Sequence, residues 1–251
     1  MTSAPVTPTP ETTALSEPAR IIDTFIAPSK TFTDIRRSAA WWGPFLITVI
    51  LSLVFVYAVD TKIGFRKVTE NQIERSPRAS QRMDQMPRDA RNNALATQAK
   101  ITRSISYGFA LFILLWNLIV SAVLFGTFRL VLSADLSFAA TFAGIMYAGL
   151  PQSLRSLVVI GSLFAGLNPD SFNLQNPVAT NPGFFLNPAD SPFLYSLGSS
   201  LDLFMIWTLI LTAVGISSID KKVKLSTALI VVFSWYVVFA LGSAALATAF
   251  S

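Results

Sequence analysis

Five long stretches of this chain carry almost no charge, at about residues 43–59, 107–128, 138–165, 201–219 and 227–250. As a helix, an apolar run of about 17–25 residues reaches across the hydrocarbon core of a bilayer. Lipid offers the backbone no hydrogen bonds, so each segment must satisfy its own peptide groups, as a helix does. The chain is therefore predicted to be all-α: a polytopic membrane helical bundle with five transmembrane helices. The flanks agree with this reading. Trp41 and Trp42 precede the first run and Tyr57 stands near its end, where amphipathic rings favour the headgroup level. Asp60 and Lys62 close the first run and Arg129 the second. The third, drawn as one straight helix, is about 40 Å long against a core of about 30 Å. Pro151 lies in its middle and is expected to kink or break it.

The segments between the runs differ in character. Residues 1–19, rich in Pro and Thr, are expected to form a disordered tail. Residues 20–42 put Ile22, Phe25 and Ile26 on one helical face. After Pro28-Ser29, a second short helix carries Phe32 and Ile35, with Lys30, Arg36 and Arg37 on the polar faces. Short amphipathic helices of this kind are expected to lie in the membrane interface. The membrane domain proper is residues 43–251. Within it, residues 60–104 hold ten basic and five acidic groups. Ser76-Pro77 and Met86-Pro87 read as helix starts there, and the last helix is expected to run on into the second span. Residues 166–200 hold four Asn-Pro pairs and no Lys or Arg. Asn-Pro favours turns, and Phe172, Phe184, Phe185 and Phe193 make the segment apolar. A folded cap is predicted between the third and fourth spans.

Charged residues make up 13% of the chain, about half the share usual in soluble domains. The net charge of +5 admits nucleic acid as a partner. The basic residues flank apolar runs, however, which points to the bilayer and its anionic headgroups and away from nucleic acid. The chain has no Cys and no His. That removes thiol nucleophiles, imidazole acid–base chemistry and the usual zinc ligand sets. Metalloprotease, hydrolase, phosphate-loop and dinucleotide motifs are all missing. Intramembrane aspartyl chemistry needs two carboxylates at one depth, and only Asp202 lies within a run. No enzymatic function, cofactor or metal is expected.

The polar groups inside the runs are few. Arg155 lies late in the third and Asp202 at the start of the fourth, so antiparallel neighbours bring both near one membrane face. Lone charges in a bilayer are costly and find partners, so an Arg155–Asp202 ion pair is expected. Asn117, in the middle of the second run, can hydrogen-bond across helices. Ala140, Gly144 and Ala148 form a row of small residues, and Ala240 and Ala244 begin another. Such rows let helices approach closely, within one chain or in a homo-oligomer. Orientation is contested. The ten basic groups of residues 60–104 oppose an inside N-terminus, whereas the short Lys221-Lys222-Val223-Lys224 loop favours one. Short loops orient more reliably, so the N-terminus is expected in the cytoplasm and the C-terminus outside.

Several segments, in their order, resemble the Yip1 domain family in its prokaryotic branch. They are FIAPSKTFTDI, WWGPF entering the first span, MYAGLP in the third, NPDSFNLQNPVATNPG in the cap and LDLFMIWTLILTAVGI opening the fourth. The resemblance runs from about Ile21 to the end of the chain. Eukaryotic members carry D-L-Y-G-P before the first span and G-Y-x-x-x-P in the third. Trp42-Gly43-Pro44 matches the end of the first motif, with Trp for Tyr and without Asp-Leu. Tyr147 and Pro151 keep the spacing of the second, with Met146 for Gly. The resemblance implies a five-helix membrane domain with a cytosolic N-terminus, in the cytoplasmic membrane of a bacterium. Eukaryotic relatives are associated with lipidated small GTPases, vesicle traffic and membrane shaping, and a bacterial cell lacks that GTPase partner. The expected function is a non-enzymatic membrane protein that organises unidentified membrane proteins or lipids. The rival expectation is a small-solute transporter or channel subunit built around Pro151, Asn117, Arg155 and Asp202.

Overall fold

The longest uncharged helices of this protein are apolar around most of their circumference, and the order of elements follows from where charge, Pro and Gly interrupt the chain. The computed structural model describes residues 14–250, with only the backbone of Phe250. The tail expected over residues 1–19 lies outside the described residues as far as residue 13. No strand occurs among the described residues. The chain runs α1 (Glu17–Ile26), α2 (Pro28–Ile35), α3 (Trp42–Lys62), α4 (Phe65–Glu74), α5 (Pro77–Asp84), α6 (Arg88–Tyr107) and α7 (Phe109–Gly126). A π-helical turn (Thr127–Val131), α8 (Phe138–Ala148), α9 (Leu150–Phe164), α10 (Pro192–Ser200), α11 (Leu203–Ile219) and α12 (Leu225–Phe250) follow.

Three helices are long and apolar enough to cross a membrane alone: Trp42–Lys62, Phe109–Val131 and Leu225–Ala249. Their outward faces carry Leu46, Ile50, Leu53, Leu111, Phe112, Leu115, Ile119, Ile230, Val238 and Leu241, all exposed. In water so much exposed apolar surface would be a liability; in lipid it is the solvent-matched face. The pair α10 and α11, bent by 50°, is together long and apolar enough for a fourth crossing. This corrects the fourth span, expected to begin at residue 201. The Ser191 side chain caps Leu194 N, and Pro192 sits in the first turn. Pro192 therefore starts a helix here instead of extending the loop.

The third expected run is two helices. α8 ends at Ala148, and α9 begins at Leu150 with Pro151 in its first turn. The break falls just ahead of the proline, because Pro has no N–H to give and crowds the preceding turn. α8 is the centre of the bundle. Every residue from Ala140 to Ala148 is buried, and α7, α11 and α2 pack around it. Gly144 admits Ile219 so closely that a β-carbon there would stand 3.1 Å from its Cδ1. Ala240 and Ala244 are likewise buried within the chain. The small-residue rows thus serve close packing inside one molecule.

The two ends of the bundle gather different segments. At one end α4 meets the Asn-Pro segment. Asn71 Nδ2 donates to the carbonyls of Pro169 (2.7 Å) and Phe172 (3.0 Å), Arg75 donates to Ser171 O, and Lys67 pairs with Asp170 at 2.6 Å. Asn168 and Asn181 cap short 3-10 turns, and Asn176 and Asn181 exchange amide hydrogen bonds. The Asn-Pro pairs therefore build turns with a buried amide core, and Phe172 closes it against α3 and α4. At the other end lie α2, the 132–137 connection and the 220–224 hairpin. There Asp220 accepts from Asp135 N (2.6 Å) and Lys222 N (2.9 Å).

Candidate functional site

α1 starts where Ser16 caps Ala19 N, with Pro18 in the first turn and Glu17 facing the positive end of the helix dipole. The sequence reading placed Glu17 and Pro18 in the tail, so this start is a correction. Ala27 breaks the helix, and Pro28 begins α2. The two helices fold into a hairpin locked on one carbonyl: Thr24 and Thr31 hydroxyls both donate to Arg20 O, at 2.7 and 3.0 Å. Phe32 and Ile35 point into the bundle and are fully buried, leaving Ile22 and Ile26 as the exposed apolar face of α1. The Phe32 ring fits where Gly215 of α11 has no side chain, and Phe25 packs edge-on against Trp207. The hairpin is thus a packed layer of the bundle as well as an amphipathic element.

Beneath it lies a polar junction. Arg20 is only 2% exposed. Its Nε and Nη2 each stand 2.7 Å from Asp34 Oδ2, and its Nη1 stands 3.2 Å from Glu17 Oε1. Arg37 closes on Asp34 Oδ1 at 3.0 Å. Burial works against the Asp34 charge, but the bonds from Arg37 and Arg20 outweigh it and hold its carboxyl below the usual range. The other Glu17 oxygen accepts from the Tyr147 hydroxyl of α8. That same oxygen lies 2.6 Å from where a β-carbon on Gly43 would stand. Only glycine leaves room for it. Trp41 stacks edge-on against Phe142 at 5.3 Å, so the start of α3 is held to α8.

The residues singled out in the sequence separate into three places. Gly43 and Tyr147 meet at the junction, and Pro44 is buried beside it at the start of α3. Trp42 is half-exposed on the outer side. Pro151 is buried in the first turn of α9. Asn117 Nδ2 contacts Met146 Sδ at 3.3 Å and joins α7 to α8. Arg155 Nε stands 3.4 Å from Asp202 Oδ2, without hydrogen-bond geometry. Asp202 has other work: it caps α11 by accepting from Phe204 N and Met205 N, and it accepts from the Thr180 hydroxyl.

Sequence reasoning missed Glu17, Arg20 and Asp34. A signal was present in the Ser-Glu-Pro start and in the Glu17/Arg20 and Asp34/Arg37 spacing of one helical turn. The partner Tyr147 lies 130 positions from Glu17, beyond any local pattern. Among the described residues, no three His, Cys, Asp or Glu groups gather closely enough to hold a metal ion.

All-helical architecture, lipid-matched outer faces and polar groups tied to structural partners define a multi-pass integral membrane protein. The chain belongs to the Yip1 domain family, whose model matches residues 22–246. Glu17 and Arg20 lie just ahead of the matched segment, while Gly43 and Tyr147 lie within it. No curated protein and no solved structure matches the chain.

Proposed function

We propose that this protein is a non-catalytic organiser of membrane proteins or lipids, crossing the bilayer five times with its N-terminus in the cytoplasm of a bacterial cell. One observation carries the reading against a transporter: the centre is packed. Ala143, Tyr147 and Ala148 have no exposed surface, and Leu150 and Pro151 are buried beside them. A solute path needs a wet cavity near the midplane, and the broken third span is filled with side chains at that level.

The five-crossing count is supported by the contacts between loops. Residues 67–75 and 169–172 touch, so the chain between them leaves that side of the membrane and returns. α7 makes one crossing, and α8 with α9 in series makes the other. The outer faces of α3, α7 and α12, and Ile22 and Ile26 on α1, are the surfaces left for lipid or a membrane partner.

The chain has no Cys, which makes the test direct. Ala143→Cys and Ala148→Cys in native membranes should resist a membrane-impermeant maleimide, while Ser80→Cys reacts. Labelling of either buried position would reveal an aqueous path and favour the transporter.

A further inference from the structure

At the end of the bundle that carries the N-terminal helices, a cavity of about 450 Å³ opens between α2, the π-helical turn, α8 and α11. Its wall has two chemistries. Arg36, Arg129, Asp135 and Ser137 give it a charged rim, and Phe125 and Ile219 give it an apolar side. We propose that this cavity binds the phosphate headgroup of an anionic lipid from the adjoining leaflet.

The donors are present and idle. A guanidinium carries five N–H donors. Arg129 commits one nitrogen, to Leu136 O at 3.2 Å and to the Asp135 carboxylate at 3.5 Å. That carboxylate is 80% exposed and therefore a weak competitor. Arg36 is exposed and makes no ion pair or side-chain hydrogen bond among the described residues. The nearby Asp220 carboxylate feels the Arg36 charge but spends its hydrogen bonds on the Asp135 and Lys222 backbone N–H groups, so the Arg36 donors stay free for a ligand. Lys221 and Lys222 follow on the same hairpin and add positive charge.

Position selects a lipid as the source of the phosphate. Arg129 lies in the last turns of the span Phe109–Val131, at the headgroup level of the bilayer. Its neighbours Leu130 and Val131 are 82% and 74% exposed, among the most exposed apolar side chains of the chain. A π-helical turn adds a residue per turn and redirects the side chains that follow, and such turns recur at functional sites. Here it sets an arginine facing the cavity beside side chains suited to acyl chains. The site also fits the membrane-organiser reading, on which it rests for its place at a bilayer surface.

The test uses the full chain purified in neutral detergent, with bound lipid counted by native mass spectrometry. Phosphatidylglycerol should bind in preference to phosphatidylcholine. Arg36→Gln with Arg129→Gln should weaken phosphatidylglycerol binding about thirty-fold, from the loss of two arginine charges at the headgroup level. Arg36→Lys with Arg129→Lys should keep most of the affinity, which controls for folding. Arg66→Gln with Arg91→Gln, at the opposite end, should change nothing. Equal binding of the two lipids, or no loss in the double Gln variant, overturns the proposal. Competition by inorganic phosphate at equal concentration would assign the cavity to a soluble anion and also overturn it. If only this binding fails while Ala143→Cys and Ala148→Cys stay protected, the organiser reading stands without this site.

Discussion

Replacing Arg20 by Met removes one charge from the junction while keeping most of the side-chain volume. The guanidinium makes three close contacts: two at 2.7 Å to Asp34 and one at 3.2 Å to Glu17. Asp34 and Glu17 are 12% and 18% exposed, so both carboxylates stay largely out of water after the change. Removing one partner of a buried pair costs about 3–5 kcal/mol, because the charge left behind is uncompensated. Asp34 keeps Arg37 at 3.0 Å and Glu17 keeps Tyr147, so the loss belongs at the lower end, about 3 kcal/mol. That is about a 150-fold shift in the folding equilibrium. Titration of the purified protein with dodecyl sulfate, followed by circular dichroism, reads it directly. Glu17→Gln, which weakens the bond from Tyr147, and Tyr147→Phe, which removes it, should each cost about 1 kcal/mol, and together less than their sum, because they act on the same bond. The reasoning fails if Arg20→Met lies within about 0.5 kcal/mol of wild type, the range of an ordinary surface substitution.

Gly43→Ala should cost about 1–2 kcal/mol by pushing Glu17 off Tyr147, and should be nearly neutral in a Glu17→Ala background; the same titration checks both. Asp34 and Asp220 are both held below the usual carboxylate range, against burial, by their hydrogen bonds and neighbouring positive charges. Their stabilisation is complete above the unfolded carboxylate value, near pH 4, and is lost as pH falls through the lower folded values. The thermal midpoint should therefore be flat from about pH 7 to 5 and drop below that, less steeply in Asp34→Asn and Asp220→Asn. Asp202→Ala should cost about 1–2 kcal/mol because it uncaps α11. Arg155→Ala should cost about 1–2 kcal/mol: its Nε lacks hydrogen-bond geometry, but the buried Asp202 carboxylate loses its neighbouring cation and keeps only its cap and Thr180 bonds. Exchanging the two charges should not restore stability, because Arg at position 202 accepts no bond from Phe204 N; thermal midpoints of the three variants decide it.

The three long apolar helices α3, α7 and α12 were legible because a bilayer imposes a one-dimensional rule on the chain: a long run without charge can cross it. Ser76-Pro77 and Met86-Pro87 were legible for a similar reason, since proline marks helix starts locally; α5 and α6 begin there. Pro151 announced the break before α9 in the same way. α10 was hidden by the four Asn-Pro pairs before it, which make the whole segment read as turns until Ser191 caps a helix. The junction was hidden more deeply. Glu17 looks like a tail residue until Tyr147 and Gly43 arrive from α8 and α3. Gly43 and Tyr147 stood out by family resemblance, but their physical reason is the carboxylate between them.

The orientation conflict in the charge count also has a structural reading. Counting Lys and Arg treats every charge as free, but several at the 60–104 end have partners. Arg103 pairs with Asp60 at 2.8 Å, Arg66 with Glu70 at 3.2 Å and Lys67 with Asp170 at 2.6 Å. Lys62 sits over the Phe164 ring. At the other end Arg36, Lys221, Lys222 and Lys224 make no ion pair among the described residues, and the Arg129 pair is long at 3.5 Å. Pairing cancels the local field that anionic headgroups respond to, and the rule counts charges close to the span ends. Pairing thus thins the charge at both ends, with Arg20, Lys30 and Arg37 paired at the second; residues 60–104 keep Arg75, Arg78, Arg82, Arg88 and Lys100 without an ion pair among the described residues, and the short 221–224 loop, which keeps three such lysines, orients more reliably. With the N-terminus in the cytoplasm, as proposed, the Arg36–Arg129 cavity would face the leaflet whose surface is negative.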